Sequence, residues 1–186
     1  VSNVAANRRT VAESGGMDIV LHAMRHHPNS TKVQKSGCYA LGNIVACDAA
    51  NQHDLARKGG MDLILRAMRQ HQDAAEVQAW GCYAFGNETG NDQHYSVQIA
   101  EMRGIEVIIQ AMKQHIRHEE VQKWGCYVVS AMVLCESARP AIREGRALME
   151  AALRRYPRNA DLRQYAQTGL RCCNIEVNGT SQGDHK

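Results

Sequence analysis

The chain has 186 residues, enough for a domain with a sizeable core, and a formal net charge of +3. This charge is too small to indicate a nucleic-acid or membrane partner by itself, and no apolar run approaches the roughly 18 residues of a membrane span. Seven cysteines, without a secretory leader, favour a reducing compartment. We therefore expect an intracellular protein, cytoplasmic or nuclear.

The first sixteen residues, VSNVAANRRTVAESGG, begin in the middle of an apolar pattern and have no cap. We interpret residues 1–6 as the end of one helix and the rest as a short helix that ends at Gly16, because glycine commonly terminates helices. The uncapped start predicts that the chain is a fragment of a larger protein.

A second helix is predicted by the segment GGMDIVLHAMRHH at 15–27. Its apolar residues recur at the i, i+3, i+4 and i+7 spacing of a helix with one buried face. The segment returns 44 positions later as GGMDLILRAMRQH at 59–71, and again as RGIEVIIQAMKQH at 103–115. Glycines Gly60 and Gly104 are predicted to end the preceding short helices, which we place near 51–58 and 95–102.

A longer helix follows in each unit, with Ser30 or Thr31, Asp73 and Asn159 as candidate N-caps. The sequence of this helix also recurs, as GCYALGN at 37–43 and GCYAFGN at 81–87. In the first unit the predicted core stripe of this helix is Val33, Gly37, Ala40, Leu41 and Ile44.

A unit of three helices, a short first, a second and a long third, recurs every 41 to 44 residues. This recurrence is typical of a solenoid, in which neighbouring units bury each other's apolar faces. We predict an all-α array over 1–174 and a polar, disordered tail at 175–186. The predicted parts of the array are the end of a preceding repeat (1–6), repeat 1 (7–50), repeat 2 (51–94), repeat 3 (95–136) and repeat 4 (137–174).

A second stripe lies on the third helix, roughly 110° around the axis from the core stripe. It combines aromatic rings with an asparagine in the first units and loses the asparagine in the third. The stripe reads Ser36, Tyr39 and Asn43, then Trp80, Tyr83 and Asn87, then Trp124, Tyr127 and Ala131, with Thr168 and Cys172 closing repeat 4.

The stretches YALGNIVA at 39–46 and YAFGN at 83–87 resemble the third helix of the armadillo-repeat family. Importin-alpha-type members place a tryptophan there and an asparagine four residues later; here Tyr39 and Tyr83 take the tryptophan place. This resemblance implies a right-handed α-α superhelix of about four repeats. It also implies that the second stripe lines a concave groove, with Asn3 in the same role.

An asparagine amide carries a donor and an acceptor, so it can pair with the backbone of an extended peptide, while neighbouring rings form side-chain pockets. Packing of the aromatic rings between repeats is the alternative. The predicted peptide-binding groove comprises Asn3, Tyr39, Asn43, Trp80, Tyr83, Asn87, Trp124 and Tyr127.

Three other recurring residue types are interpreted as structural. Glycines 37, 81 and 125 indicate close helix crossings, and cysteines 38, 82 and 126 indicate small buried residues. Stacking keeps the recurring His27, His71 and His115 too far apart for one tetrahedral ion. We predict no metal, no cofactor and no catalytic residues, because no nucleophile, phosphate loop or metal motif is recognisable.

Arginines outnumber acidic residues between 139 and 171, which indicates either a solvated face on repeat 4 or a basic docking surface. The residues of that candidate surface are Arg139, Arg143, Arg146, Arg154, Arg155 and Arg158.

We conclude from the sequence that the chain is a non-catalytic module that binds an extended protein or peptide segment in its groove. The alternative is a structural scaffold or self-associating solenoid, which the uncapped start favours. A third interpretation is an acidic or nucleic-acid partner on repeat 4, with nucleic acid disfavoured. No membrane partner is expected.

Overall fold

The computed structural model describes residues 7, 10–11, 13–46, 48–89 and 93–179, with side chains at all of these except 88–89, 93 and 174–179. Within these ranges the chain forms helices and short connections, and no strand is present. The all-α prediction is confirmed. None of the helices in these ranges is long and apolar enough to cross a membrane. Asn3 and the predicted segment 1–6 lie outside the described residues.

Ten α-helices and one short 3-10 helix make up the described part of the chain. We number the α-helices in chain order. They are α1 (Gly16–His26), α2 (Thr31–Val45), α3 (Ala49–Arg57), α4 (Gly60–Gln70), α5 (Ala75–Thr89), α6 (Gln93–Glu101), α7 (Gly104–Gln114), α8 (Glu119–Ala131), α9 (Arg139–Arg155) and α10 (Ala160–Gly179), with the 3-10 helix at Glu136–Ala138.

The long third helices α2, α5, α8 and α10 stack on one another in chain order, and this is the most extensive packing in the described structure. The second helices α1, α4, α7 and α9 form another stacked layer beside them, and the short helices α3 and α6 connect one unit to the next. Equivalent helices therefore lie side by side, as in an α-solenoid. The exact boundaries between repeats stay a prediction.

A single apolar core runs through the whole stack. Met24 of the first unit, Leu65 and Phe85 of the second, and Ile108 and Val129 of the third are all fully buried in it. Because each unit supplies a face to both neighbours, the core is continuous rather than divided among repeats.

A buried glutamine joins the second and third helices of each of the first three units. In repeat 2, Gln78 Nε2 donates to the carbonyl oxygens of Met68 (2.9 Å) and His71 (2.8 Å) at the end of α4. Gln34 and Gln122 make the corresponding two bonds. These bonds satisfy carbonyl groups that have no partner within their own helix.

The corner between the first and second helices differs from the prediction by one residue. Gly60 and Gly104 begin α4 and α7, and the left-handed residues stand just before them, at Gly59 (φ 72°) and Arg103 (φ 56°). Gly15 (φ 76°) holds the same place before α1. The first glycine of each pair therefore makes the turn, because it tolerates positive φ.

Repeat 4 lacks this corner. Helix α9 runs without interruption through Gly145, which corresponds to Gly104 at the 41-residue spacing. The place of a first helix holds the 3-10 helix at Glu136–Ala138 and the first residues of α9. Three helices per unit were expected, so repeat 4 departs from the pattern by joining two of them.

Two of the predicted N-caps are confirmed. Ser30 Oγ accepts a hydrogen bond from Val33 N, and Asn159 Oδ1 accepts one from Leu162 N (2.8 Å). Asp73 is not adjacent to Ala75, the first residue of α5, and therefore does not hold the N-cap position. Its Oδ1 instead accepts a hydrogen bond from Gln114 Nε2 of the next unit. At the other end of the chain, α10 continues to Gly179, into the segment that the sequence assigns to a polar tail.

Candidate functional site

Six aromatic rings form an unbroken row across the third helices, and we call this row the aromatic ladder. Its members are Tyr39 on α2, Trp80 and Tyr83 on α5, Trp124 and Tyr127 on α8, and Tyr165 on α10. Successive ring centroids are 4.7 Å apart for Tyr39 and Trp80, 5.8 Å for Trp80 and Tyr83, 4.7 Å for Tyr83 and Trp124, 6.2 Å for Trp124 and Tyr127, and 4.6 Å for Tyr127 and Tyr165.

The ladder is neither fully exposed nor part of the core. Tyr39, at its first end, is 48% exposed, whereas the other five rings are half-buried. Trp80 lies between Tyr39 and Tyr83, and Trp124 lies between Tyr83 and Tyr127. Each tryptophan therefore contacts a tyrosine ring of the preceding unit and one of its own unit, and it still presents part of its surface to solvent.

A glycine on one unit makes room for a tyrosine ring of the next. A Cβ atom built on Gly42 would lie 2.7 Å from Cδ1 of Tyr83, and one built on Gly86 would overlap the ring of Tyr127. The corresponding residue of repeat 3 is Ser130, and the tyrosine place of repeat 4 is taken by Thr168. The glycine is thus present in each unit whose successor supplies a tyrosine.

The asparagines bind within the array. Asn43 Oδ1 accepts a hydrogen bond from the Tyr83 hydroxyl (3.0 Å), and Asn43 Nδ2 donates to the carbonyl of Tyr39 (3.0 Å). Asn87 Nδ2 donates to the carbonyl of Gly42 on the preceding unit (3.1 Å). The sequence pattern predicts that both the N–H and the C=O of the Asn43 amide pair with a peptide backbone. In the structure the amide oxygen already accepts a hydrogen bond from Tyr83 of the adjacent repeat.

Tyr165 was not among the predicted groove residues. It lies 41 positions after Trp124, so the spacing that relates repeats 3 and 4 places it in the tryptophan position. Burial raises the pKa of its phenol, and the negative charge of Asp161 adds to this. The shorter spacing was recognised in the sequence, and applying it to the aromatic stripe would have found this ring.

The charged residues along one edge of the aromatic ladder form pairs of opposite charge. Glu120 accepts hydrogen bonds from Trp124 Nε1 (2.9 Å) and Lys123 Nζ (2.8 Å), and the Lys123 ammonium stands 4.3 Å from the Trp124 ring centroid. One unit earlier, Lys35 pairs with Glu76 at 3.0 Å. The Trp124 ring is therefore fixed by a carboxylate and a cation–π contact.

The recurring glycines and cysteines next to the ladder are structural. A Cβ on Gly81 would lie 2.5 Å from Sδ of Met68 on the helix that crosses it, and Gly37 and Gly125 face Met24 and Met112 in the same way. The thiols of Cys38, Cys82 and Cys126 are fully buried. Burial raises the pKa of Cys38 and of Cys126 to about 12 and also raises that of Cys82. These thiols stay protonated and have no nucleophilic character.

Two of the recurring histidines connect the loops of adjacent units. His71 Nε2 lies 2.7 Å from the carbonyl oxygen of Pro28, and His115 Nε2 lies 2.6 Å from that of Gln72. Among the described residues, no group of three or more His, Cys, Asp or Glu side chains is arranged to hold a metal ion.

The candidate basic surface on repeat 4 is divided. Arg139 pairs with Glu136 and Arg146 pairs with Glu150, while Arg155 extends over the ring of Tyr156. Arg143, Arg154 and Arg158 are exposed. Acidic partners therefore interrupt the row of arginines, and whether this surface docks a ligand stays a prediction.

Comparison with known proteins identifies the repeat type. The comparisons with curated proteins and with solved structures gave no match. A family model described as the LRRK2 ARM repeat matches residues 10–178, which is most of the chain. Armadillo repeats are in general protein-interaction modules and non-catalytic scaffolds. This match, together with the stacked helical units and the resemblance of the third helices, shows that the chain belongs to the LRRK2 ARM repeat family.

Proposed function

We propose that this array is a non-catalytic module that binds an extended segment of a partner protein along the aromatic ladder. The observation that carries the proposal is the continuity of the ladder, because six partly exposed rings cross four successive helices without a gap. In an armadillo superhelix this stripe lines the concave surface, where a ligand meets equivalent positions of several repeats at once.

The spacing of the helices suits an extended ligand. Packed helices lie roughly 8–10 Å apart, and an extended chain advances about 3.3 Å per residue. Each repeat therefore meets two to three ligand residues. A folded ligand would touch fewer repeats, since its surface does not follow a line of equivalent side chains.

The rings and the amides have different roles in this proposal. Tyrosine and tryptophan rings offer large apolar faces at a low cost in side-chain entropy, so they are suited to pack against ligand side chains. Each asparagine amide has two N–H groups, of which the array uses one. The second donates to a ligand carbonyl, and the Asn43 oxygen keeps Tyr83 in place.

The two tryptophans of the chain, Trp80 and Trp124, are both in the ladder, so their fluorescence reports ligands at this site directly. We would select binders from a displayed library of unstructured peptides and titrate them against the protein. We expect a shift in tryptophan emission and a weakening of at least about tenfold in Tyr39→Ala, which removes the most exposed ring.

Val97→Ala and Ile116→Ala serve as matched controls, because both residues are exposed and apolar and neither belongs to the ladder. They should leave the affinity unchanged. Selected peptides that bind Tyr39→Ala as tightly as the original chain, or that leave the emission unchanged, would contradict the proposal.

A further inference from the structure

Each tryptophan of the aromatic ladder has a carboxylate one helical turn before it. Glu76 precedes Trp80 on α5, and Glu120 precedes Trp124 on α8, so each carboxylate lies on the same side of its helix as the ring. A carboxylate beside an aromatic face attracts cations, because the negative charge and the ring quadrupole both favour them. We call these two arrangements the carboxylate–tryptophan pairs.

A lysine of the array already neutralises each of these carboxylates. Lys123 Nζ lies 2.8 Å from Glu120 and 4.3 Å from the centroid of the Trp124 ring, which is the position that a ligand cation would take. The Lys123 side chain is only 12% exposed. Lys35 of repeat 1 reaches both carboxylate oxygens of Glu76 at 3.0 Å. Both carboxylate–tryptophan pairs therefore already hold a cation that the chain itself supplies.

The two lysines hold equivalent places on the third helices of repeats 1 and 3. Repeat 2 has Ala79 in this place, and repeat 4 has Gln164. The stacking of the third helices therefore does not require a lysine here, since alanine and glutamine fill the same place in the same array. The lysines change the charge that the ladder presents, and an alanine in their place is compatible with the fold.

We propose that Lys35 and Lys123 determine which ligands the aromatic ladder accepts. Each lysine occupies a carboxylate–tryptophan pair and thereby excludes the lysine and arginine side chains of a ligand. A basic ligand would have to displace the internal lysine, and the displaced ammonium group would then repel it. Because each pair is neutral, an acidic side chain gains no attraction there either.

This inference rests on the proposed function and narrows it. The ladder takes an extended segment whose side chains along the two tryptophans are uncharged and apolar. Apolar side chains pack against the remaining ring surface without displacing either lysine.

The first experiment measures cation binding without any peptide. Choline carries a quaternary ammonium group, and its carbon analogue, in which carbon replaces the nitrogen, has the same shape without the charge. Each is titrated against the full chain while NMR follows the indole N–H resonances of Trp80 and Trp124. The original chain should bind the two compounds equally. In Lys123→Ala the Trp124 ring lies open beside Glu120, and choline should bind at least about threefold more tightly than its analogue.

Two variants separate this effect from a general change in charge. Lys113→Ala also removes a positive charge and breaks an ion pair, but on the layer of second helices, so it should behave like the original chain. Lys123→Ala combined with Glu120→Gln opens the ring without its carboxylate, and the preference for choline should be lost. Asp161, which precedes Tyr165 in the same way, is unchanged in every variant and does not affect these differences.

The second experiment tests the class of ligand. The displayed library of unstructured peptides is selected in parallel against the original chain and against a variant that combines Lys35→Ala with Lys123→Ala. Peptides selected by the original chain should be poor in lysine and arginine. Those selected by the double variant should be enriched in both residues at least about threefold, because each tryptophan then has an unpaired carboxylate beside it.

Two results overturn the proposal. If the original chain prefers choline as strongly as Lys123→Ala does, the lysine does not block a cation site. If both selections give the same content of lysine and arginine, the two lysines do not set the ligand class. Peptides that bind away from the ladder contradict the proposed function alone, since the choline titration needs no peptide and still decides the role of Lys123.

Discussion

Arg103 occupies a backbone conformation that glycine holds at the equivalent corners of the array. Its φ of 56° places it in the left-handed region, where a Cβ atom crowds the following carbonyl. Gly15 and Gly59 adopt the same conformation without this cost. Within the described part of the chain Arg103 pairs with Glu106, at 3.2 Å, and both side chains are exposed, so this contact contributes little. The strain at Arg103 is therefore not offset by its own contacts.

Arg103→Gly is expected to stabilise the protein by about 1 kcal/mol, because glycine relieves the left-handed strain at the start of α7. Equilibrium unfolding in urea measures the change. The reciprocal control is Gly59→Ala, for which an added Cβ would meet no atom within 4 Å. It should lose a similar amount through backbone strain alone. A loss of stability in Arg103→Gly would show that the arginine side chain matters more than its backbone.

At the scale of helices, the third helices are aligned by rings that fit into gaps on their neighbours. The Tyr83 ring lies against Gly42, and the Tyr127 ring lies against Gly86. Since ring and gap belong to different repeats, the helical pattern within one repeat cannot explain either residue. The tyrosine, the glycine and the asparagine act together at the joint between two units.

Gly86→Ala is expected to destabilise the protein by about 1–2 kcal/mol. The new methyl group overlaps the Tyr127 ring, and this overpacking outweighs the higher helix propensity of alanine. Thermal unfolding followed by circular dichroism measures the loss, and the fluorescence of Trp124 should change as its neighbouring ring moves.

The equivalent residue of repeat 3 provides the control for this substitution. Ser130 already carries a Cβ atom, and Thr168 replaces the tyrosine that would face it. Ser130→Ala should stay within about 0.5 kcal/mol of the original chain. An equal loss of stability in both variants would show that the effect arises within the helix and not at the contact between two repeats.

At the scale of the whole molecule, the continuous core places three thiols at equivalent depths. The pKa of Cys38 is raised to about 12, while in the unfolded chain a thiol ionises near 9.0. Between these values the unfolded state loses a proton that the folded state retains. Stability is therefore unaffected below pH 9 and falls as the pH rises toward 12.

Each such thiol should lower the free energy of unfolding by about 1.4 kcal/mol per pH unit above pH 9. Urea unfolding of the original chain and of Cys38→Ala at several alkaline pH values tests this. Tyrosine and lysine ionisation affects both proteins alike, so the difference between their stabilities isolates Cys38. That difference should shrink as the pH rises, and parallel curves would show that the thiol is accessible to water.

Much of the architecture could be predicted because each repeat carries its own helical periodicity. The apolar spacing of Met61, Ile64, Leu65 and Met68 predicts a buried helix face, and the structure confirms it. The crossing at Gly81 also follows from local reasoning, since a glycine inside a helix is costly without a steric cause.

The features that were missed depend on contacts between repeats. The Asn43 amide oxygen accepts a hydrogen bond from Tyr83, forty positions away, and no pattern within repeat 1 indicates this bond. The joined helix α9 was missed because a glycine can either turn a corner or continue a helix. In the structure Gly145 lies inside α9, where an added Cβ atom would come within 3.0 Å of Val129 and Ile109 of the preceding unit.

The pairing of Gly42 and Asn43 with Tyr83 has a consequence for how such arrays gain or lose units during evolution. Excising residues 51–94 as one block would leave Gly42 and Asn43 facing Tyr127, so ring and gap would still match. Excising 95–136 would leave Gly86 and Asn87 facing Thr168, so no tyrosine ring would fill the gap beside Gly86. The joint therefore survives the removal of repeat 2 but not that of repeat 3, and deletions should be tolerated unequally along the chain.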